Sequence, residues 1–251
     1  MKNHVLVIIL ILFTVISNAQ PPTPRTDEAA ALYKRGIELY RSRQYAEAID
    51  AFKEYIRLEA DSFTAYHNLG VVQLDAGFYA DAVANFKEAL RLKPDYAEAR
   101  RNLGAAFYRS ERIREAIAEY RLAIALKPDY VLAYSDLGVA LSDDGKHAEA
   151  ADALERAVRL DSSNALVFHN LGYVAMRAGE RKKAVEAFQA ALRIDPAMSE
   201  SRFYLAALYL AANDRAGALR QYAELKTQDT QLAEKLFRAI FKDKLLVVEA
   251  K

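Results

Sequence analysis

A period of 34 residues constrains the fold of this 251-residue chain more than any other feature of its sequence. The frame runs without a gap as far as Leu232. Its six blocks begin at Ala29, Phe63, Ala97, Val131, Ala165 and Ser199. Position eight is glycine or alanine, position twenty is alanine, and position twenty-four is aromatic or leucine in every block. Self-similarity at such a spacing predicts a solenoid of stacked supersecondary units.

Each block carries two stripes of residues at helical spacing. In the second block the first stripe follows the i, i+3, i+4, i+7 pattern of one helix face with Tyr66, Leu69, Gly70 and Gln73. The second stripe consists of Ala82, Phe86, Ala89 and Leu90. Gly77 lies between the stripes and can take the left-handed conformation that ends a helix. One such helix pair cannot bury both of its faces, so each block needs its neighbour for stability.

The pattern resembles the tetratricopeptide repeat (TPR) family over residues 29–232. The residues that carry the resemblance most fully are Tyr66, Leu69, Gly70, Ala82, Phe86, Ala89 and Pro94. The resemblance implies an all-α fold, a right-handed α-solenoid of six helix-turn-helix repeats. Their ranges are 29–62, 63–96, 97–130, 131–164, 165–198 and 199–228. Residues 229–251 are predicted to form a C-terminal capping helix and tail.

Several positions depart from the family pattern. Gln73 replaces an expected aromatic residue, and Arg100 and Arg202 occupy a position for a large residue. Arg43 and Glu111 stand where other blocks have glycine, which costs about 1 kcal/mol if their φ is positive.

The N-terminus is typical of a secretory signal peptide. Lys2 precedes an apolar run over residues 5–16, and small residues end at Ala19. We predict cleavage after Ala19, export to a bacterial periplasm or exterior, and no membrane insertion of the mature chain. An uncleaved anchor through residues 5–16 is the alternative, although a spanning helix needs about 18 or more apolar residues. Residues 20–28 are predicted to be a proline-rich linker.

Composition argues against several functions. Without Lys2 the chain has 34 basic and 34 acidic residues, so its charge gives no reason to expect nucleic acid as a partner. The chain has no cysteine, which excludes disulfides, thiolate zinc sites and thiol nucleophiles. Its few histidines include His67 and His169, three repeats apart and therefore too distant to share a metal. The sequence predicts no enzyme activity, no cofactor and no metal site.

The resemblance implies a concave face lined by the first helix of each repeat. Position six of the four middle repeats is occupied by Asn68, Asn102, Asp136 and Asn170, which we call the amide row. A carboxamide has both donors and an acceptor, so it can pair with the backbone of an extended peptide. Ordinary solvated or locally bonded side chains are the alternative. Further residues predicted to line a peptide-binding groove are Arg101, Tyr108, Arg109, Tyr173 and Arg177. The arginines could instead pair with neighbouring carboxylates.

The sequence therefore predicts a non-enzymatic scaffold that binds a protein, as an extended peptide segment in its concave groove. The alternative is a substrate-recruiting or assembly subunit that uses its convex face or its hydrophobic C-terminal end. The apolar tail Leu245–Val248 is expected to fold back onto the last repeat or, alternatively, to bind a partner.

Overall fold

The computed structural model describes residues 27–248, with side chains through Phe241. The predicted signal peptide and residues 20–26 of the predicted linker lie outside the described residues. Within residues 27–248, thirteen α-helices and no strands are present. They are α1 Asp27–Arg41, α2 Tyr45–Leu58, α3 Phe63–Asp75, α4 Tyr79–Leu92, α5 Ala97–Arg109, α6 Ile113–Leu126, α7 Val131–Asp143, α8 His147–Leu160, α9 Ala165–Arg177, α10 Arg181–Ile194, α11 Ser199–Ala211, α12 Arg215–Gln228 and α13 Thr230–Val248.

The helices form hairpins within two compact units, which among the described residues comprise 27–126 and 127–248. In the first unit α1 packs on α2, α3 on α4 and α5 on α6, while α2 also packs on α3 and α4 on α5. The second unit repeats this arrangement with the pairs α7 and α8, α9 and α10, and α11 and α12. Each unit is thus a stack in which every hairpin covers the next, which confirms the predicted all-α repeat solenoid.

Glycine at position eight is required by the close approach of the two helices in a hairpin. A Cβ atom on Gly70 would lie 2.8 Å from the ring of Phe86, and one on Gly104 would lie 2.7 Å from the ring of Tyr120. Both rings are fully buried against these glycines. In the last repeat alanine replaces the glycine, and the aromatic residue at position twenty-four, Tyr222, is only half-buried.

The turn inside each hairpin needs a left-handed residue. Gly77 has φ +86°, and two other hairpins use glycine in the same way. At the same place Arg43 has φ 59°, Glu111 has φ 63° and Asn213 has φ 60°. The expectation of strained turns at Arg43 and Glu111 is confirmed, and Asn213 adds a milder case because asparagine tolerates this conformation better.

Helix α13 caps the second unit. It packs against α11 and α12 and buries Ala233, Leu236 and Ile240 in the same cluster as Leu225. Residues Leu245–Val248 continue α13 rather than turning back as a separate segment. Within residues 27–248, no helix combines the length and the apolar character needed to cross a bilayer.

Candidate functional site

The amide row lies on the first helices of the hairpins, and its side chains are buried. Asn68 is completely inaccessible to solvent, and the exposed fractions of Asn102, Asp136 and Asn170 are 3%, 5% and 5%. These positions therefore form part of the packing between helices. The expectation that they present free amides along an open groove does not hold in this conformation.

Three amides of the row form hydrogen bonds between repeats. Each of them donates to the side chain at position five of the preceding repeat. In the first unit Asn68 Nδ2 donates to the Tyr33 hydroxyl at 3.0 Å, and Asn102 Nδ2 lies 2.9 Å from His67 Nε2. In the second unit Asn170 Nδ2 donates to Ser135 Oγ at 2.9 Å. The three bonds have the same register, so the amides link adjacent first helices within each unit.

His67 connects two of these bonds. Its Nδ1 lies 3.3 Å from Asn68 Oδ1, and its Nε2 accepts from the Asn102 amide. One neutral tautomer, with the proton on Nδ1, satisfies both contacts at once. The hydrogen bonds then run without interruption from Tyr33 through Asn68 and His67 to Asn102. Burial lowers the pKa of His67 to about 4, which keeps this tautomer neutral at physiological pH.

The second unit contains a similar buried histidine. His169 Nδ1 lies 2.8 Å from Ser201 Oγ, which links α9 to α11. Burial lowers the pKa of His169 to about 4 as well. Both histidines therefore act as interior hydrogen-bonding groups. Among the described residues, no group of three or more His, Cys, Asp or Glu side chains is arranged to hold a metal ion.

Arg101, one of the residues predicted to line the groove, is buried, with an exposed fraction of 3%. A guanidinium at that depth has no open surface for a ligand in this conformation, because a buried charge must be satisfied inside the protein. Arg101 and Asp136 both have interaction partners within the structure. The burial of Arg101 and Asp136 therefore argues against the predicted contact of these two residues with a ligand.

Polar groups with access to solvent lie at the C-terminal ends of the first helices. Position thirteen forms what we call the rim row, whose members alternate in charge from one repeat to the next: Arg41, Asp75, Arg109, Asp143 and Arg177. Within the first unit Asp75 accepts a hydrogen bond from the Tyr40 hydroxyl at 2.6 Å. Within the second unit Arg177 forms an ion pair with Asp143 at 2.6 Å.

Arg177 also donates to the Tyr173 hydroxyl at 3.0 Å. Burial raises the pKa of the Tyr173 hydroxyl above 10, while the hydrogen bond from Arg177 acts in the opposite direction. Tyr173 has an exposed fraction of only 4%. Arg177 is thus exposed, but its guanidinium already interacts with Asp143 and Tyr173.

Arg109 differs from the other predicted arginines. It is exposed and, among the described residues, it pairs with no carboxylate. Its guanidinium lies 5.5 Å from the centre of the Tyr79 ring, and Nη2 donates to the Tyr79 hydroxyl at 3.2 Å. Stacking on an aromatic ring holds the guanidinium in place and leaves several of its donors available. The half-buried Tyr108 precedes it on α5.

Two features of this face escaped the sequence analysis although the sequence contains signals for both. Positions five and six carry matching donors and acceptors 35 residues apart, as in Tyr33 with Asn68 and Ser135 with Asn170. The alternating charge of the rim row is visible once position thirteen is read down the repeats. The pairing between repeats becomes visible only when positions five and six are compared across adjacent repeats.

Comparison with known families assigns the chain. One sequence model of the tetratricopeptide repeat matches residues 33–77, 67–131 and 106–165, which is more than half of the chain. A second tetratricopeptide repeat model matches residues 165–197. The chain belongs to the tetratricopeptide repeat family, whose repeats serve as protein-interaction scaffolds. Among curated proteins, no sequence matches this chain.

Solved structures share the fold. PilW, described as a widely conserved type IV pilus biogenesis factor, has 19% identity and a TM-score of 0.75, with 84% of this chain and 99% of PilW covered. PilF of Pseudomonas aeruginosa has 20% identity and a TM-score of 0.69, with 84% of this chain and 97% of PilF covered. MamA of Desulfovibrio magneticus RS-1 has 24% identity and a TM-score of 0.61, with 69% of this chain and 98% of the MamA chain covered.

Proposed function

We propose that this protein is an exported, non-enzymatic scaffold that holds an extended segment of a partner protein along the face of its first helices. The observation that carries the proposal is the state of Arg109, which is exposed, stacked on Tyr79 and unpaired with any carboxylate of the described residues. A guanidinium held in this way binds a carboxylate or a peptide carbonyl with little loss of conformational freedom. The segment contacts Arg109 and Tyr108 first and then Asp75 and Arg41, the other rim-row residues of the first unit.

The buried amides have a supporting role in this proposal. Asn68 and Asn102 fix the spacing of the first helices in the first unit, and Asn170 does so in the second. The rim-row residues of each unit present charges at that spacing. In the second unit, taken by itself, Arg177 can exchange Asp143 for an acidic group of a partner.

A charge-reversal pair tests the proposal. Arg109→Glu should abolish capture of the partner from extracts of the producing cells, because it reverses the charge that receives the carboxylate. Arg91→Glu is the matched control, since Arg91 is also exposed but lies on α4, paired with Glu88. Both variants should keep the helical circular dichroism of the wild type. Equal capture by the wild type and Arg109→Glu would contradict the assignment of this face.

Export is the second part of the proposal and rests on residues 1–19. Expression of the full sequence in a bacterium should give a periplasmic or secreted product that begins at Gln20 in an intact-mass measurement. A product that keeps residues 1–19 and sediments with membranes would favour the anchored alternative.

An assembly role through the C-terminal end is a second candidate function. Phe237 is 39% exposed on α13, and its ring lies 4.5 Å from that of Phe241. The two neighbouring rings place apolar surface at this end of the chain, which a partner could cover. The type IV pilus biogenesis factor PilW shares the fold, which supports considering an assembly role. Light scattering on the wild type and on Phe237→Ser separates the candidates. If the C-terminal end is an assembly surface, the measured molar mass should fall after this change.

A further inference from the structure

An open notch lies in the first unit between the second helices α2 and α4. It has a volume of about 440 Å³ and its floor is formed by α3. Its lining includes Lys53 and Arg57 on α2, Leu69 and Gln73 on α3, and Asp81 and Asn85 on α4. We call it the α2–α4 notch.

Gln73 lines the notch and lies at position eleven of its repeat, where the family pattern has an aromatic residue. In the next repeat the same position holds Phe107, and Lys87 extends over its ring at 5.7 Å from the centroid. Lys53 occupies the position of Lys87 one repeat earlier. Tyr66 also lines the notch, but the Lys53 ammonium forms no cation–π contact, hydrogen bond or ion pair within the described residues.

The amide of Gln73 has a fixed orientation. Asn85 Nδ2 donates to the backbone carbonyl of Asp81 at 3.1 Å and to Gln73 Oε1 at 2.7 Å. The oxygen of Gln73 therefore faces Asn85, and its nitrogen faces away. Gln73 has an exposed fraction of only 4%, and within the described part of the chain its Nε2 has no acceptor. The floor of the notch thus offers an N–H donor beside apolar carbon from Leu69.

The two rims of the notch carry opposite charges that do not meet. The equivalent positions in the second unit, Glu155 and Lys183, form an ion pair at 2.9 Å. In the notch the same positions hold Lys53 and Asp81, and neither forms an ion pair with any described residue. Space for a ligand remains between them.

We propose that the α2–α4 notch is a docking site for an acidic side chain of a partner protein. The carboxylate is received by the Lys53 ammonium and the Gln73 amide, and the aliphatic carbons of the side chain lie on Leu69. Asp81 accepts a backbone N–H of the same partner segment, so the site prefers an acidic residue within a peptide over a free anion. Arg57 strengthens the site by turning from its exposed pair with Glu54.

Nuclear magnetic resonance on the 15N-labelled protein tests this directly. The probes are three blocked tripeptides with glutamate, glutamine or lysine at the centre, and free acetate as the small anion. The glutamate probe should shift the side-chain amide signals of Gln73 and Asn85, with weaker shifts from acetate. Equal shifts from the glutamate and glutamine probes, or no shift from glutamate at millimolar concentration, would overturn the proposal. Stronger shifts from acetate than from the glutamate probe would overturn the assignment to a peptide.

Matched variants locate the effect. Lys53→Gln should weaken glutamate binding about fivefold, whereas Lys87→Gln, at the same position of the next repeat, should leave it unchanged. Gln73→Phe should abolish binding because it supplies the ring that fills the equivalent space at Phe107. Unchanged binding in Lys53→Gln would overturn the proposal even if Gln73→Phe fails to fold. Arg109→Glu should leave these shifts intact, so failure at the rim row and failure at the notch can be told apart.

Discussion

At the residue scale, the amide row shows how one side chain can have two plausible roles. An asparagine on the first helix of a repeat can face a ligand or a neighbouring repeat. Here Asn68 and Asn170 donate to Tyr33 and Ser135, so their hydrogen bonds stabilise the stack. The residues proposed to bind a partner are therefore those with solvent access, above all Arg109.

The buried histidines predict a pH dependence of stability. The pKa of His67 is about 4 in the folded protein and about 6.5 when unfolded, so the unfolded state binds the proton first as the pH falls. The contribution is fully present above about pH 6.5 and is lost progressively down to about pH 4. At pH 4 this loss amounts to about 3 kcal/mol.

Urea unfolding between pH 8 and pH 4 measures this effect. His67→Gln should show a shallower loss of unfolding free energy on acidification than the wild type. His147→Gln, at a half-buried turn position, should retain the steep wild-type loss because His67 and His169 are still in place. Parallel pH profiles for the wild type and His67→Gln would contradict the role assigned to His67.

Position eight gives a second prediction at this scale. Gly70→Ala should lower the unfolding free energy by about 1–3 kcal/mol, because the new Cβ meets the buried Phe86 ring at 2.8 Å. The reverse change Ala206→Gly in the last repeat should cost only about 0.5–1 kcal/mol, the usual penalty of glycine within a helix. Denaturant titration of both variants checks the difference, and an equal cost would speak against the close-approach argument.

At the scale of the element, the turns of the hairpins separate backbone strain from packing. Nothing lies within 4 Å of a Cβ added to Gly77, so Gly77→Ala changes only the cost of a positive φ. It should destabilise the protein by about 1 kcal/mol. Glu111→Gly should stabilise by up to a similar amount because it relieves the same strain at φ 63°. Thermal unfolding of the two variants should therefore shift in opposite directions.

Helix α13 offers two adjacent residues with different environments. Leu236 is 1% exposed and Phe237 is 39% exposed. Leu236→Ala should cost about 2–5 kcal/mol because it leaves a cavity under the cap. Phe237→Ala should change the unfolding free energy far less. If both substitutions destabilise equally in urea titrations, the face assigned to the cap is wrong.

At the scale of the whole molecule, the period was sufficient to predict the fold. Gly70 and Phe86 recur because two helices must approach closely, and this requirement can be read without coordinates. The strain at Arg43 and Glu111 could be predicted for the same reason, since a turn position fixes φ. These features depend on local geometry that every repeat shares.

The candidate site was less predictable because burial depends on how neighbouring repeats face each other. The sequence suggests polar groups at Asn68 and Arg101 but does not show that helix packing covers them. Only contacts between repeats distinguish the covered Arg101 from the exposed Arg109. The notch at Gln73 was similarly hidden, because the missing aromatic residue matters only in relation to Lys53 on the preceding hairpin.

The most direct test of the central claim is photocrosslinking in the cells that produce the protein. A photoreactive amino acid in place of Tyr108 should yield a covalent adduct with a partner protein, and Arg109→Glu in the same chain should remove it. The same group in place of Leu122, an exposed residue of α6, should yield no such adduct. Adducts of equal yield from both positions, or an adduct that persists with Arg109→Glu, would contradict binding at the face of the first helices.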